Sequence, residues 1–551
     1  MATYRSLTLG LILLFTGAAN ADTLLHNIKG YTSTENGLEA FDALAFSDDG
    51  KVLATGGQTL LTDFASARHV DGEGHYVLPG LIDAHAHVYG LGFLAISLDL
   101  AGTPSVDDAV NAIADYAGTN PQLSWIQGRG WNQVLWPVKE FPTAADIDAV
   151  VSDRPVWLRR IDGHAGWANS NALALAGIDA DTPDPIGGKI IRDRNGKATG
   201  VLVDNAMALV SAHIPEPGKD DIRAAYEVAL SHLTSLGITG VHDAGIDIPQ
   251  AEVYLAMADD AALDMRVYAM LSGAGAVLDA IDTPIRRYGN DHFEIGAVKL
   301  YADGALGSRG AALIEPYSDD AENRGLPFWT ADELLEFTRK ANDRGFQVGI
   351  HAIGDLGNRM ALDAFDQAQG RKPSPLRNRV EHAQIVSLDD IPRFAELGVI
   401  ASMQPTHATS DMNMAEDRIG PDRIKGGYAW RRLLDSGASL AGGSDFPVEL
   451  PNPFLGLFAA VTRQDRAGQP EGGWYVDQGL TREEALHSFT LAAAYAAHQE
   501  DRFGSLEPGK WADFIIVDRD YFEVPASEID DIQVLETWVG GKRVFDAAEG
   551  E

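Results

Sequence analysis

Short apolar runs that each close in a polar residue recur along this chain, at 81–87, 239–243, 266–271, 297–301, 347–351, 379–382, 399–404 and 439–445. Their length and the turn residues after them predict strands buried on both faces. Between the later ones, 330–344, 356–369, 388–397 and 430–436 carry apolar residues every three or four positions, the period of a helix with one buried face. Eight strand-like runs alternating with helices predict an α/β fold, a (β/α)8 TIM barrel.

The residues that close the runs carry the chemistry. His85 and His87 end the first run, Lys299 lies in the fourth, His351 closes the fifth, His382 the sixth and Asp445 the eighth. Side chains alternate along a strand, so His85 and His87 point the same way and Ala86 the other. In a parallel barrel all strand ends open on one face, which lets residues hundreds of positions apart surround one centre. His85, His87, Lys299, His351, His382 and Asp445 are therefore the expected metal ligands.

The chain resembles the metal-dependent amidohydrolase superfamily, and most closely its N-substituted formamide deformylase-like branch. The likeness rests on LPGLIDAHAH at 78–87, GRGWN at 128–132, VHDAG at 241–245 and VKLYADGALGSR at 298–309. It continues through EHAQ at 381–384, MQP at 403–405, GSDFP at 443–447 and GSLEPGKWADF at 504–514. The resemblance implies a small β-sandwich domain in which both chain ends pair beside the barrel. It also implies that Lys299 carries a carbon dioxide adduct bridging two metal ions.

The ends agree with that organisation. Residues 22–80 and 500–551 hold short alternating runs broken by Asp-Gly and Gly-Gly turns, and the barrel is assigned to 81–499. An insertion after strand one, about 102–215, is rich in tryptophan and is placed to cover the site. Residues 1–21 read as a signal peptide: Arg5, an apolar core from Leu7 to Phe15, then the small-residue site Ala19-Asn-Ala21. A periplasmic or secreted bacterial enzyme is expected, and the absence of cysteine fits an oxidising destination.

Composition narrows the partners. With 43 basic against 80 acidic residues, the net charge of −37 repels nucleic acid and anionic membranes. The expected partner is a small-molecule substrate, with no nucleic acid and no membrane after signal cleavage; a homo-oligomer remains open.

Neutral imidazoles and a carboxylate suit zinc, which acidifies its bound water to near neutrality. His85 and His87 with Asp445 are expected to hold one ion, and His351 with His382 a second. A free ammonium would repel two cations, so Lys299 fits such a centre only as a neutral amine or an anionic carbamate. The alternative is an ion pair of Lys299 with Asp303 and a single metal. Asp445 is the expected catalytic proton carrier, between attacking hydroxide and leaving nitrogen. Candidate substrate contacts are His164, Trp131, Arg309, His407 and Asp303; His242 is either a support of the site or a core histidine. The leading activity is hydrolysis of carbon–nitrogen bonds other than peptide bonds, in amides or N-substituted formamides. Deamination or lactone and ester hydrolysis on the same scaffold is the alternative, and a non-catalytic binding protein carries little weight because every ligand is present.

Overall fold

The computed structural model describes residues 22–34, 37–161, 163–185 and 187–549, so the expected signal segment at 1–21 lies outside the described residues. Eight parallel strands hydrogen-bond side by side in chain order: Leu81–Ala86, Ile238–Ile246, Arg266–Ser272, Phe293–Tyr301, Gln347–Ala352, Arg379–His382, Ile400–Met403 and Leu440–Gly442. They coincide with the eight apolar runs of the sequence. Nearly every residue in them is buried, as expected for strands packed on the barrel interior on one side and on helices on the other.

The barrel closes through one carboxylate. Asp83 in the first strand accepts hydrogen bonds from the Ser444 backbone N–H at 3.1 Å and the Ser444 hydroxyl at 2.6 Å, just past the eighth. Beside it the Asp445 N–H donates to the His85 carbonyl at 2.8 Å. A helix follows most strands. Ala331–Asn342 begins with a reciprocal Thr330/Glu333 cap and buries Leu334, Leu335, Thr338 and Ala341, the face its periodicity predicts.

Both chain ends join in one eight-stranded sheet, in which Phe514–Val517 pairs with Tyr76–Pro79 and the latter with Thr23–Thr34. Phe46 and Phe514 lie three strands apart in this sheet, a separation of roughly 14 Å if it were flat. Their ring centroids are 5.8 Å apart, and that of Trp538 is 5.9 Å from Phe46. The sheet therefore folds over on itself and encloses its own core, the sandwich arrangement expected.

The β-domain is locked to the barrel by a buried ion pair. Arg266, at the start of the third barrel strand, donates to both oxygens of Asp513 at 2.6 and 2.8 Å, and both residues are buried. The guanidinium also lies over the Phe503 ring, 4.2 Å from its centroid. Removing one member leaves an uncompensated buried charge, so Asp513→Ala is expected to destabilise the protein by about 3–5 kcal/mol. Chemical denaturation would check this; a loss below about 1 kcal/mol would show the contact to be dispensable.

The insertion folds around a six-stranded sheet whose edge strands are Leu98–Asp99 and Gly188–Arg192. It starts a few residues earlier than the 102 expected from composition, because the short strand Leu98–Asp99 directly follows the helix Val88–Ile96.

Candidate metal centre

His85 lies in the first strand and His87 just beyond it, where the His87 N–H donates to the Phe446 carbonyl at 2.9 Å. Lys299 lies in the fourth strand, His351 in the fifth and His382 in the sixth, while Asp445 follows the eighth. His382 and Asp445 adopt left-handed backbone conformations, φ 73° and 62°, which non-glycine residues hold only where the surroundings enforce them. These local turns swing both side chains into the barrel mouth.

There the side chains converge. Asp445 Oδ1 lies 3.1 Å from His87 Nε2 and 3.6 Å from His85 Nε2, and Lys299 Nζ is 3.0 Å from His85 Nε2. The His382 ring centroid is 4.7 Å from that of His85 and 4.5 Å from that of His351. One ligand atom from each of His85, His382 and Asp445 falls within 4.8 Å of the others. This trio cuts across the expected division into one ion held by His85, His87 and Asp445 and another by His351 and His382. All six expected ligands nonetheless border one small volume.

A surrounding layer fixes the imidazoles. His85 Nδ1 is 2.6 Å from Glu381 Oε2, and His382 Nδ1 is 2.8 Å from Gln404 Oε1. Each ring therefore donates at Nδ1 and turns the lone pair of Nε2 inward, the arrangement that prepares histidine for a metal. Arg379 in turn holds Glu381, with Nη2 3.0 Å from Oε2, and reaches the Ala84 carbonyl and the Ser402 hydroxyl.

Protonation states follow from burial. Burial, then the Lys299 charge, pushes His85 down to about 4 and His351 down to about 3, and His382 also falls well below its ordinary value. All three are neutral near pH 7. Burial lowers Lys299 to about 8, so an appreciable share is free amine near neutrality. Burial pushes Asp445 up, but the His87 hydrogen bond and the neighbouring imidazoles outweigh it and keep the carboxylate ionised.

Such a set fits a divalent ion. Nε2 of His351 and of His407 are both buried with no hydrogen-bond partner, which costs free energy unless something binds there. Neutral imidazole nitrogens and an ionised carboxylate are the donors that zinc and similar ions take.

The expected substrate contacts separate clearly. His407 joins the centre, with Nε2 3.6 Å from Asp445 Oδ2 and its ring stacked on His382. Asp303 Oδ1 lies 3.8 Å from His351 Nε2, at the edge of the centre. Its buried carboxylate accepts from the backbone N–H groups of Ala312, Ile353 and Gly354 at 2.8–2.9 Å, so it pins two loops, and among the described residues it makes no ion pair with Lys299. Trp131 is core: its indole N–H donates to the Leu158 carbonyl at 2.8 Å, and its ring packs with Trp136 and Trp167. Arg309 is committed to Asp319 at 2.8 Å, and exposed His164 lies 2.8 Å from Asp204. His242 is buried behind the site, its Nδ1 2.9 Å from Arg379.

The roles of Glu381, Arg379, Gln404 and Asp83 were missed from sequence. A signal existed for two of them: Arg379 and Glu381 are two apart in a strand and so share a face, directly beside His382.

Comparison with known proteins gives the same reading of the scaffold. Residues 68–545 match the amidohydrolase family, and the chain belongs to it. Protein LONG AFTER FAR-RED 3 of Arabidopsis thaliana is 34% identical over 542 residues, covering 95% of this chain and 92% of the relative. An N-substituted formamide deformylase of Arthrobacter pascens is 30% identical over 512 residues, covering 89% of this chain and 93% of the relative. The crystal structure of an uncharacterized metal-dependent hydrolase from Pyrococcus furiosus superposes with a TM-score of 0.77 at 29% identity, covering 91% of this chain and 100% of that one. As a member of this family the protein is a hydrolase.

Proposed function

We propose that this protein is a metal-dependent hydrolase of carbon–nitrogen bonds other than peptide bonds, acting on amides of the N-substituted formamide type. The observation that carries the reading is the convergence of His85, His87, His351, His382, Lys299 and Asp445 on the open end of the barrel. Near-full-length similarity to an N-substituted formamide deformylase supports the bond type.

Two zinc ions would be held by His85, His87, His351, His382 and Asp445, with Lys299 beside them. In its neutral form Lys299 can add carbon dioxide, forming an N–C bond and releasing one proton, and so replace a cation with an anionic carbamate. When bound, divalent ions polarise a substrate carbonyl and lower the pKa of water toward neutrality.

The chain's own residues do the rest. Glu381 and Gln404 hold the His85 and His382 rings in one orientation. Asp445, kept ionised, takes a proton from the attacking water as its oxygen bonds to the carbonyl carbon. The same carboxyl returns that proton to the nitrogen as the carbon–nitrogen bond breaks, so the amine leaves neutral. His407 lies beside this carboxylate, with Nε2 3.6 Å from Asp445 Oδ2.

A panel of zinc-loaded reactions on N-substituted formamides, other amides, lactones and amino heterocycles tests the bond type. Release of the organic amine from the formamides at the highest kcat/KM is expected. Turnover confined to lactones, or ammonia release from the heterocycles alone, would assign the site to the alternative chemistry.

A further inference from the structure

A cleft of about 340 Å³ lies between the helix that follows His87 and the insertion sheet. One wall is apolar, built from Phe93 and Leu94; Pro447, two residues after Asp445, closes an end. A Cβ placed on Gly90 would lie 3.3 Å from Pro447 and 3.7 Å from His87 Cβ, so the cleft adjoins the His87 and Asp445 side of the centre.

The opposite wall is cationic. Arg129 and Arg159 both line the cleft, and they face each other directly across neighbouring parallel strands, in register with each other. Directly opposed residues share a sheet face with Cβ atoms about 5 Å apart, where like charges repel. Among the described residues neither arginine has an ion-pair partner: Arg129 makes one long contact, 3.4 Å, to the Ile161 carbonyl. No described acidic residue lines the cleft, although acidic residues outnumber basic ones 80 to 43 in the chain. The neighbouring Arg160 is braced by Gln133 and Asn132 at 2.9 and 3.0 Å.

Two opposed guanidinium groups that make no ion pair among the described residues, although Asp99 stands in register beside Arg129, with an apolar wall across from them and the catalytic centre next door, describe a receptor for an anion with an apolar body. We propose that Arg129 and Arg159 bind a carboxylate carried by the substrate, making this enzyme selective for amides that bear a carboxylate alongside an apolar group. This rests on the reading of the centre as an amide hydrolase. Guanidinium pairs carboxylate through two parallel N–H donors, so recognition is geometric as well as electrostatic.

The test compares formate release from N-formylphenylalanine and from its neutral carboxamide by the zinc-loaded full-length protein. The proposal expects a kcat/KM ratio of about tenfold or more in favour of the carboxylate, the scale of a charge-assisted hydrogen bond. In Arg129→Gln/Arg159→Gln the ratio should fall toward one, chiefly through KM, whereas Arg159→Lys, which keeps the charge but not the two-donor fork, should keep only part of it. Titration calorimetry with phenylacetate and phenylacetamide supplies an arm that needs no turnover. Phenylacetate is expected to bind the wild type at least about tenfold more tightly than phenylacetamide, and the double variant should lose that difference. Absence of formate from both substrates would count against the amide-hydrolase reading while the calorimetry still decides the arginine pair. Equal binding of the two probes, or a preference that survives in the double variant, would overturn the carboxylate site.

Discussion

Asp445→Asn is expected to bind substrate and retain metal yet lose roughly a hundred- to ten-thousand-fold in kcat, the usual worth of general acid–base catalysis. The side chain is buried, ionised and central: Oδ1 lies near His85 and His87 while Oδ2 faces His407. Asparagine preserves shape and one acceptor oxygen, but it cannot carry a proton from water to the leaving nitrogen. Because Oδ1 also lies among the expected ligands, metal content has to be measured in the same preparation. A metal-replete variant with wild-type turnover would remove Asp445 from the proton path.

Lys299→Ala is expected to reduce bound metal from about two ions per chain toward one, with turnover falling in step. The lysine is fully enclosed, and Nζ lies 3.0 Å from His85 Nε2, where a permanent ammonium would oppose any nearby cation. Its lowered pKa, about 8, sets the direction of a pH effect. The amine is increasingly neutral as pH rises through 8, so activation of metal-depleted protein by bicarbonate and zinc should quicken over that range. A variant that keeps full activity with a single ion would establish the one-metal alternative.

Much of this architecture was legible because parallel barrel strands are buried on both faces and so stand out as apolar runs. Histidines that close such runs, as His85, His351 and His382 do, are carried to the barrel mouth, which is why the ligand order could be read, whereas Asp83 and His242 inside the runs serve the frame. Strand ends were less legible. The eighth run extends apolar and small residues to 445, but the strand stops at Gly442 and Asp445 lies in the left-handed region beyond it. Residues in long connections were least legible of all. Trp131 and Asp303 sit in motifs beside the site, yet one fills the insertion core and the other satisfies three backbone N–H groups. Their destinations depend on where loops return, which no local periodicity encodes. The cationic cleft escaped notice for the same reason: Arg129 and Arg159 are thirty positions apart and become neighbours only through strand register.

The most direct test of the central claim is amine release from an N-substituted formamide, measured before and after removal of metal with a chelator and again after zinc is restored. The account predicts turnover that disappears on chelation and returns with zinc, with about two ions bound per chain at full activity. Amine release that persists in protein shown to be metal-free would contradict it.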